Sequence, residues 1–217
     1  MKNYEEFFSW VLPEVAGCPE IAALQAVRDA TIQFSEQSLI HQVDHDPITV
    51  IAKTCDYDLE SPLANHRIVK VMKAFYKGKE LTPIGPDQIS DPAVYNSSIG
   101  GYTPSYASPT SFAQKDAASI SLVPIPDQTI ASAITMRVAL APSRNSNFCE
   151  DFIFEQWVEV ISAGAVSKLQ LSSGRPYSNP QAALANQSRF MAGTNVARSR
   201  AVRGFNRSSL SVQLRNP

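Results

Sequence analysis

The hydrophobic period changes twice along this chain, and no other feature limits the possible folds as tightly. Ile21, Leu24, Val27, Thr31 and Phe34 recur three or four residues apart, the spacing that gathers side chains on one face of a helix. Between "HDPITVIAK" and "RVALAPSR" the period drops to two. Ile134, Met136, Val138 and Leu140 then point one way, and Thr135, Arg137 and Ala139 the other, as in strands with one buried face. Helical spacing returns in "NFCEDFIFEQWVEVISAGAVSKLQLSSG", where Phe154, Trp157, Val158, Ile161, Ala165 and Leu169 line one side, and in "SNPQAALANQSRFMAGTNVARSRAVRG".

Stop and start signals divide these periods into elements. Asn3 followed by Glu5 and Glu6 reads as a cap with acids in the first turn, opening a short helix that carries Phe7, Phe8, Trp10 and Val11 and stops near Pro13. Pro19 suits the first position of a second helix, running to about His41. Gly78, between Lys77 and Lys79, supplies a hairpin turn, so residues 67–84 read as two paired strands. Residues 85–117 are rich in Pro, Gly, Ser and Tyr and read as loops and short edge strands. Gly174 and Pro176 end the third helix, while Asn179 caps and Pro180 opens the fourth, which ends at Gly204. Ala163-Gly164-Ala165 offers a place for close helix approach, and Trp10, Phe154 and Trp157 read as helical core.

The predicted fold class is therefore α+β, a four-helix bundle with an inserted, mostly antiparallel β-domain and an extended C-terminal arm. Residues 1–44 and 143–203 would form the bundle, 45–142 the β-domain, and 204–217 the arm. With 217 residues and 44% hydrophobic composition, such a chain can bury a sizeable core. The absence of any run of eighteen apolar residues, and of a basic, apolar leader, predicts an intracellular, soluble protein without a membrane partner.

Charge is strongly segregated. The formal net charge is -1, yet the last acidic residue is Glu159, and beyond it come Lys168 and seven arginines. The first 159 residues thus carry -9 and the remainder +8. A solvated basic helix face is the plain reading of such a block. Nucleic-acid contact, an acidic partner, and contact between the basic end of one copy and the acidic body of the next are the functional ones.

The sequence holds none of the common arrangements of reactive groups. Cys18, Cys55 and Cys149 are odd in number and far apart, which argues against a disulfide framework or a zinc site and for packing roles. "SSIGGYTPS" lacks the Lys-Ser/Thr of a phosphate loop, and no Gly-x-Ser-x-Gly elbow exists. His41, Asp44, His45 and Asp46 in "HQVDHDP" read as polar turn residues at a helix exit, a local run too weak for a metal site. The expectation is no catalytic residue, no metal and no cofactor. Arg200, Arg203 and Arg207 follow helical spacing, so a DNA-binding module using the basic helix and tail is the alternative function. Beyond Phe190 only Phe205 supplies the aromatic stacking that such modules favour.

Three stretches carry a resemblance. "WVLPEVAGCPEIAALQAVRDATIQFSEQS", "RVALAPSR" followed by "DFIFEQWVEVISAGAVSKL", and "GRPYSNPQAALANQSRF" with its later Gly, Ala-Arg and Arg-Gly elements resemble the head-to-tail connector, or adaptor, proteins of tailed bacteriophages. The likeness spans residues 10 to 204, and Tyr177 stands where the family often has Trp. It implies a non-enzymatic virion protein made in the host cytoplasm and located at the neck. There it forms a ring, typically twelvefold, beneath the portal protein, meets the next tail component, and passes genomic DNA through its channel without sequence specificity. On that reading Arg198, Arg200, Arg203, Phe205, Arg207, Leu210, Val212, Leu214 and Arg215 are expected to contact the portal or a neighbouring copy. The alternation of Leu210, Val212 and Leu214 would suit strand addition. Tyr95, Tyr102 and Tyr106 are expected on the tail side.

Overall fold

A computed structural model describes residues 1–88 and 106–204 of the chain. These divide into two compact units, one built from residues 1–41 and 142 onward, the other from Gln42–Ala141.

The first unit opens with strand β1 (Lys2–Asn3) and a 3-10 turn over Tyr4–Phe7. Helix α1 (Phe8–Val11) follows, then a second 3-10 turn over Leu12–Glu14. Asn3 starts this run with a capping box: its side chain accepts from the Glu5 N–H at 3.1 Å, and the Glu6 carboxylate accepts from the Asn3 N–H at 3.2 Å. Pro13 lies within the second 3-10 turn, where its missing N–H and ring prevent a longer helix. Helix α2 (Glu20–Ser38) ends where Leu39 turns left-handed, with φ of 54°.

The second unit contributes strands β2 (Gln42–Val50), β3 (Asp56–Asp58), β4 (His66–Tyr76), β5 (Lys79–Glu80), β6 (Thr82–Pro83), β7 (Ser111–Asp116), β8 (Ser119–Val123) and β9 (Ile130–Pro142). Strand β10 (Phe148–Cys149), helix α3 (Asp151–Gln170) and helix α4 (Pro180–Arg203) return to the first unit.

The predicted four-helix bundle is not what forms. The molecule is α+β with three mostly antiparallel sheets, but among the described residues only α2, α3 and α4 are long helices, and the N-terminal segment is a chain of single turns. The expected fourth rod fails because too few residues separate the Asn3 cap from Pro13. Tyr4, Phe7, Val11 and Val15 instead enter the core as a wedge. Phe7 meets Phe154 edge-on at 5.0 Å between ring centroids, and Phe34 lies 5.4 Å from Trp157. Trp10, expected in this core, is 46% exposed; Phe7 and Val11, four residues apart, take the inward positions. Cys149 is buried, which pushes its thiol up to about 12, as a packing cysteine should be.

Helices α3 and α4 run antiparallel and close together. Gly164 faces the Phe190 ring, to which a Cβ would come within 2.6 Å, and Gly193 faces Val160, to which a Cβ would come within 2.5 Å. Each helix thus presses one large side chain into a gap left by the other's glycine. The sequence reading found the gap at Gly164 but not its counterpart.

In the second unit the sheet orders are β2-β9-β4-β5 and β3-β8-β7-β6. Ile68, Val71, Ile134, Met136 and Val138 of the first sheet share one buried cluster with Phe112, Ile120 and Leu122 of the second. The expected hairpin turns through Lys77 and Gly78, both with positive φ, and pairs Tyr76 with Lys79 and Phe75 with Glu80. Its second arm then leaves the sheet, because β6 pairs parallel to β7 instead. Strand β7 is internal, flanked by β8 and β6, where only loops and edge strands were expected. "HQVDHDP" is likewise strand and not turn: Asp44, His45 and Asp46 lie on β2, an edge strand that accommodates Pro47 at a register shift. Gln114 accepts from the Val71 N–H at 2.8 Å, tying the two sheets. The Ser121 hydroxyl donates to Asp56 and, helped by Lys115, holds that carboxyl below its ordinary range. Among the described residues no helix is long and apolar enough to cross a membrane.

Candidate interaction surface

Helix α4 carries most of the described residues singled out as interface candidates. Asn179 caps it by accepting from the Ala182 N–H at 3.1 Å, Pro180 occupies its first turn, and Gly204 closes it with φ of 65°. Over 24 residues it buries only Ala183, Phe190, Thr194 and Ala197. These lie at intervals of seven, four and three, a narrow stripe turned to α2 and α3. Thr194 satisfies its buried hydroxyl by donating to the Phe190 carbonyl at 2.8 Å.

The arginines of this helix fall into two groups. Arg200 is held within its own unit: its guanidinium carbon sits 5.0 Å from the Trp157 ring centroid, and Nη1 donates to Gln156 Oε1 at 3.1 Å. Arg189, Arg198 and Arg203 are exposed and make no ion pair among the described residues. Of the expected interface residues, Arg198 and Arg203 are thus free to meet a partner, whereas Arg200 works internally. Phe205, Arg207, Leu210, Val212, Leu214 and Arg215 lie outside the described residues, as do Tyr95 and Tyr102. Tyr106 is exposed and bridges to Ile125 in a parallel pair. Sequence spacing alone could not separate Arg200 from Arg198, since the separation depends on where α4 meets Trp157.

Beside this helix is a cleft of about 290 Å³ lined by Trp10, Glu14, Glu159, Ser162, Asn186 and Arg189 among others. Gln170 connects two of its lining residues. Its Nε2 donates to the Glu14 carbonyl at 3.2 Å, and its Oε1 accepts from Asn186 Nδ2 at 3.2 Å. One buried amide therefore fixes the turn after α1 against both α3 and α4. Glu14 and Glu159 are exposed and form no ion pair among the described residues. Ser162 is only 4% exposed, and its Oγ is buried without a hydrogen-bond partner. The sequence reading passed over this cleft, because its residues come from three separate segments.

A wider cavity of about 580 Å³ on the β-unit is lined by Asp44, His45, Lys73, Phe75 and Arg137 among others. Two of its groups are engaged with neighbours: Lys73 pairs with Glu80 at 3.4 Å, and His45 has its ring nitrogens 2.7 and 2.9 Å from the carbonyls of Asp46 and Glu60. Neither cavity brings a nucleophile within hydrogen-bond reach of a base.

No protein-family model and no curated protein matches the chain, so the connector resemblance rests on the quoted motifs alone.

Proposed function

We propose that this chain is a structural, non-catalytic subunit of a bacteriophage head-to-tail connector, acting by contact with other polypeptides. The observation that carries the reading is the charge placement in the helical unit. Helix α4 has no acidic residue and presents Arg189, Arg198 and Arg203 to solvent, whereas Glu5, Glu14, Glu20, Glu155 and Glu159 are exposed on the other helical segments. None of these eight groups is neutralised by an ion pair among the described residues. A subunit with two unlike, complementary surfaces suits heterologous contacts, the kind that close into rings.

In this role the ring sits between portal and tail, and DNA passes through its centre without base-specific contact. Residues 204–217, outside the described region apart from Gly204, are the segment proposed to reach the portal. Fourteen residues span about 45–50 Å when extended, enough to cross a subunit boundary. The test is imaging of purified portal rings with and without the protein. Added density capping one end of the portal is expected, lost when 204–217 are deleted, and a portal left undecorated at saturating protein would overturn the reading. A DNA-binding role would instead appear as duplex binding that weakens steeply with salt.

A further inference from the structure

Two faces of the helical unit remain unsatisfied, and they lie on opposite flanks of α4. At about 100° per residue, Asn186 and Arg189 project to one side of the buried Ala183–Ala197 stripe, toward the cleft that holds Trp10, Glu14 and Glu159. Leu184, Met191, Arg198 and Val202 project to the other side, about half a turn away. Leu184 is 63% and Val202 68% exposed, and Met191 and Arg198 are exposed between them. Their spacing of seven, seven and four is that of a helical seam without a partner among the described residues.

We infer that the Leu184–Met191–Arg198–Val202 face of one copy docks against the Trp10–Glu14–Glu159 cleft of the next, with Arg198 entering the cleft. This deepens the connector reading and rests on it for its ring geometry. Four observations favour a second copy as the occupant. The cleft offers two carboxylates unpaired among the described residues against one guanidinium, Arg189, and so keeps a net negative charge. Trp10 presents an exposed indole, the surface on which a guanidinium stacks. The buried, unpartnered Ser162 Oγ lacks the hydrogen bond that a guanidinium N–H would supply. The donor face supplies a free arginine for those carboxylates and apolar side chains to lie against the indole.

Pairing two α4 seams with each other would set Arg198 against a helix without a single acid, which disfavours a two-fold dimer. A cleft and a seam on opposite flanks also match what a ring demands. In a ring of about twelve copies each subunit turns by about 30°, so its two contact faces must point nearly apart.

The experiment uses the full-length chain and two charge-reversed variants in sedimentation velocity over a rising concentration series. Glu14→Arg with Glu159→Arg destroys the cleft and leaves the seam; Met191→Glu with Arg198→Glu destroys the seam and leaves the cleft. The unaltered chain is expected to self-associate reversibly, and each variant to do so at least about tenfold more weakly. An equimolar mixture of the two variants should then form one-to-one pairs and nothing larger, because one intact seam and one intact cleft remain to meet. That rescue also shows that both variants are folded. A chain that stays monomeric throughout, variants that associate undiminished, or a mixture that does not pair would each overturn the inference. Since no portal is present, these outcomes are distinct from failure of portal capping, which would sink the connector reading alone.

Discussion

Helices α3 and α4 lie side by side, yet they are built on opposite plans. Helix α3 buries eleven of its 20 residues, including Ile153, Trp157 and Ile161, while α4 buries four of 24. The first is packed into its own unit along most of its length, with Glu155 and Glu159 left on its outer face, and serves as its core. The second touches that unit along one stripe and leaves Leu184, Met191, Val196 and Val202 in solvent. A helix needs one apolar stripe to be held in place; a second, with arginines and no acids around it, has no purpose inside the subunit. The lesson is that the buried stripe and the proposed contact face separate cleanly on α4, and each side can be tested without disturbing the other.

The sharpest contrast should come from two residues one position apart. Phe190 fills the gap at Gly164, and Phe190→Ala is expected to cost about 3–5 kcal/mol in a urea unfolding titration. Met191→Glu with Arg198→Glu, on the outer face of the same helix, should leave stability within about 0.5 kcal/mol. Equal losses from both changes would erase the distinction.

Between these extremes lies the buried contact of α3 with α4. Gly164→Ala places a Cβ 2.6 Å from the Phe190 ring. The overpacking costs about 1–3 kcal/mol, against which alanine returns about 1 kcal/mol of helix propensity. A net loss of about 1 kcal/mol is expected from denaturant midpoints, and a stabilised variant would mean that the helices are not in close contact there. Arg200→Ala should be milder, about 1 kcal/mol, through loss of the contact with Trp157. At concentrations where the chain is monomeric its tryptophan fluorescence should shift as the Trp157 indole becomes wetter, whereas Arg198→Ala should leave that signal unchanged.

Much of the α3–α4 seam was legible in the sequence, since Ala163-Gly164-Ala165 and the Phe154-to-Leu169 spacing are local patterns that a helix converts directly into a face. The reciprocal gap at Gly193 was not, because "FMAGTNV" identifies its partner only once Val160 is known to lie across from it. The N-terminal segment was misread for a related reason. Its cap, acids and apolar spacing are sound helix signals, but they do not say that the run before Pro13 is only long enough for single turns. Strand β7 escaped notice because "SFAQKD" shows weak alternation, and its place between β8 and β6 comes from pairing with distant segments. The same holds for the candidate site. Arg198 and Arg203 were named from the sequence, but the cleft joins Trp10, Glu159 and Arg189 across three segments, and no spacing rule links residues that far apart.

The most direct measurement is a density map of an assembled phage neck at a resolution that traces helices. The account expects this chain repeated around a ring against the portal, with the Leu184–Val202 face of each α4 covered by the neighbour's Trp10–Glu159 cleft. A ring in which that face stays open to solvent, or a neck that does not contain the chain, would contradict it.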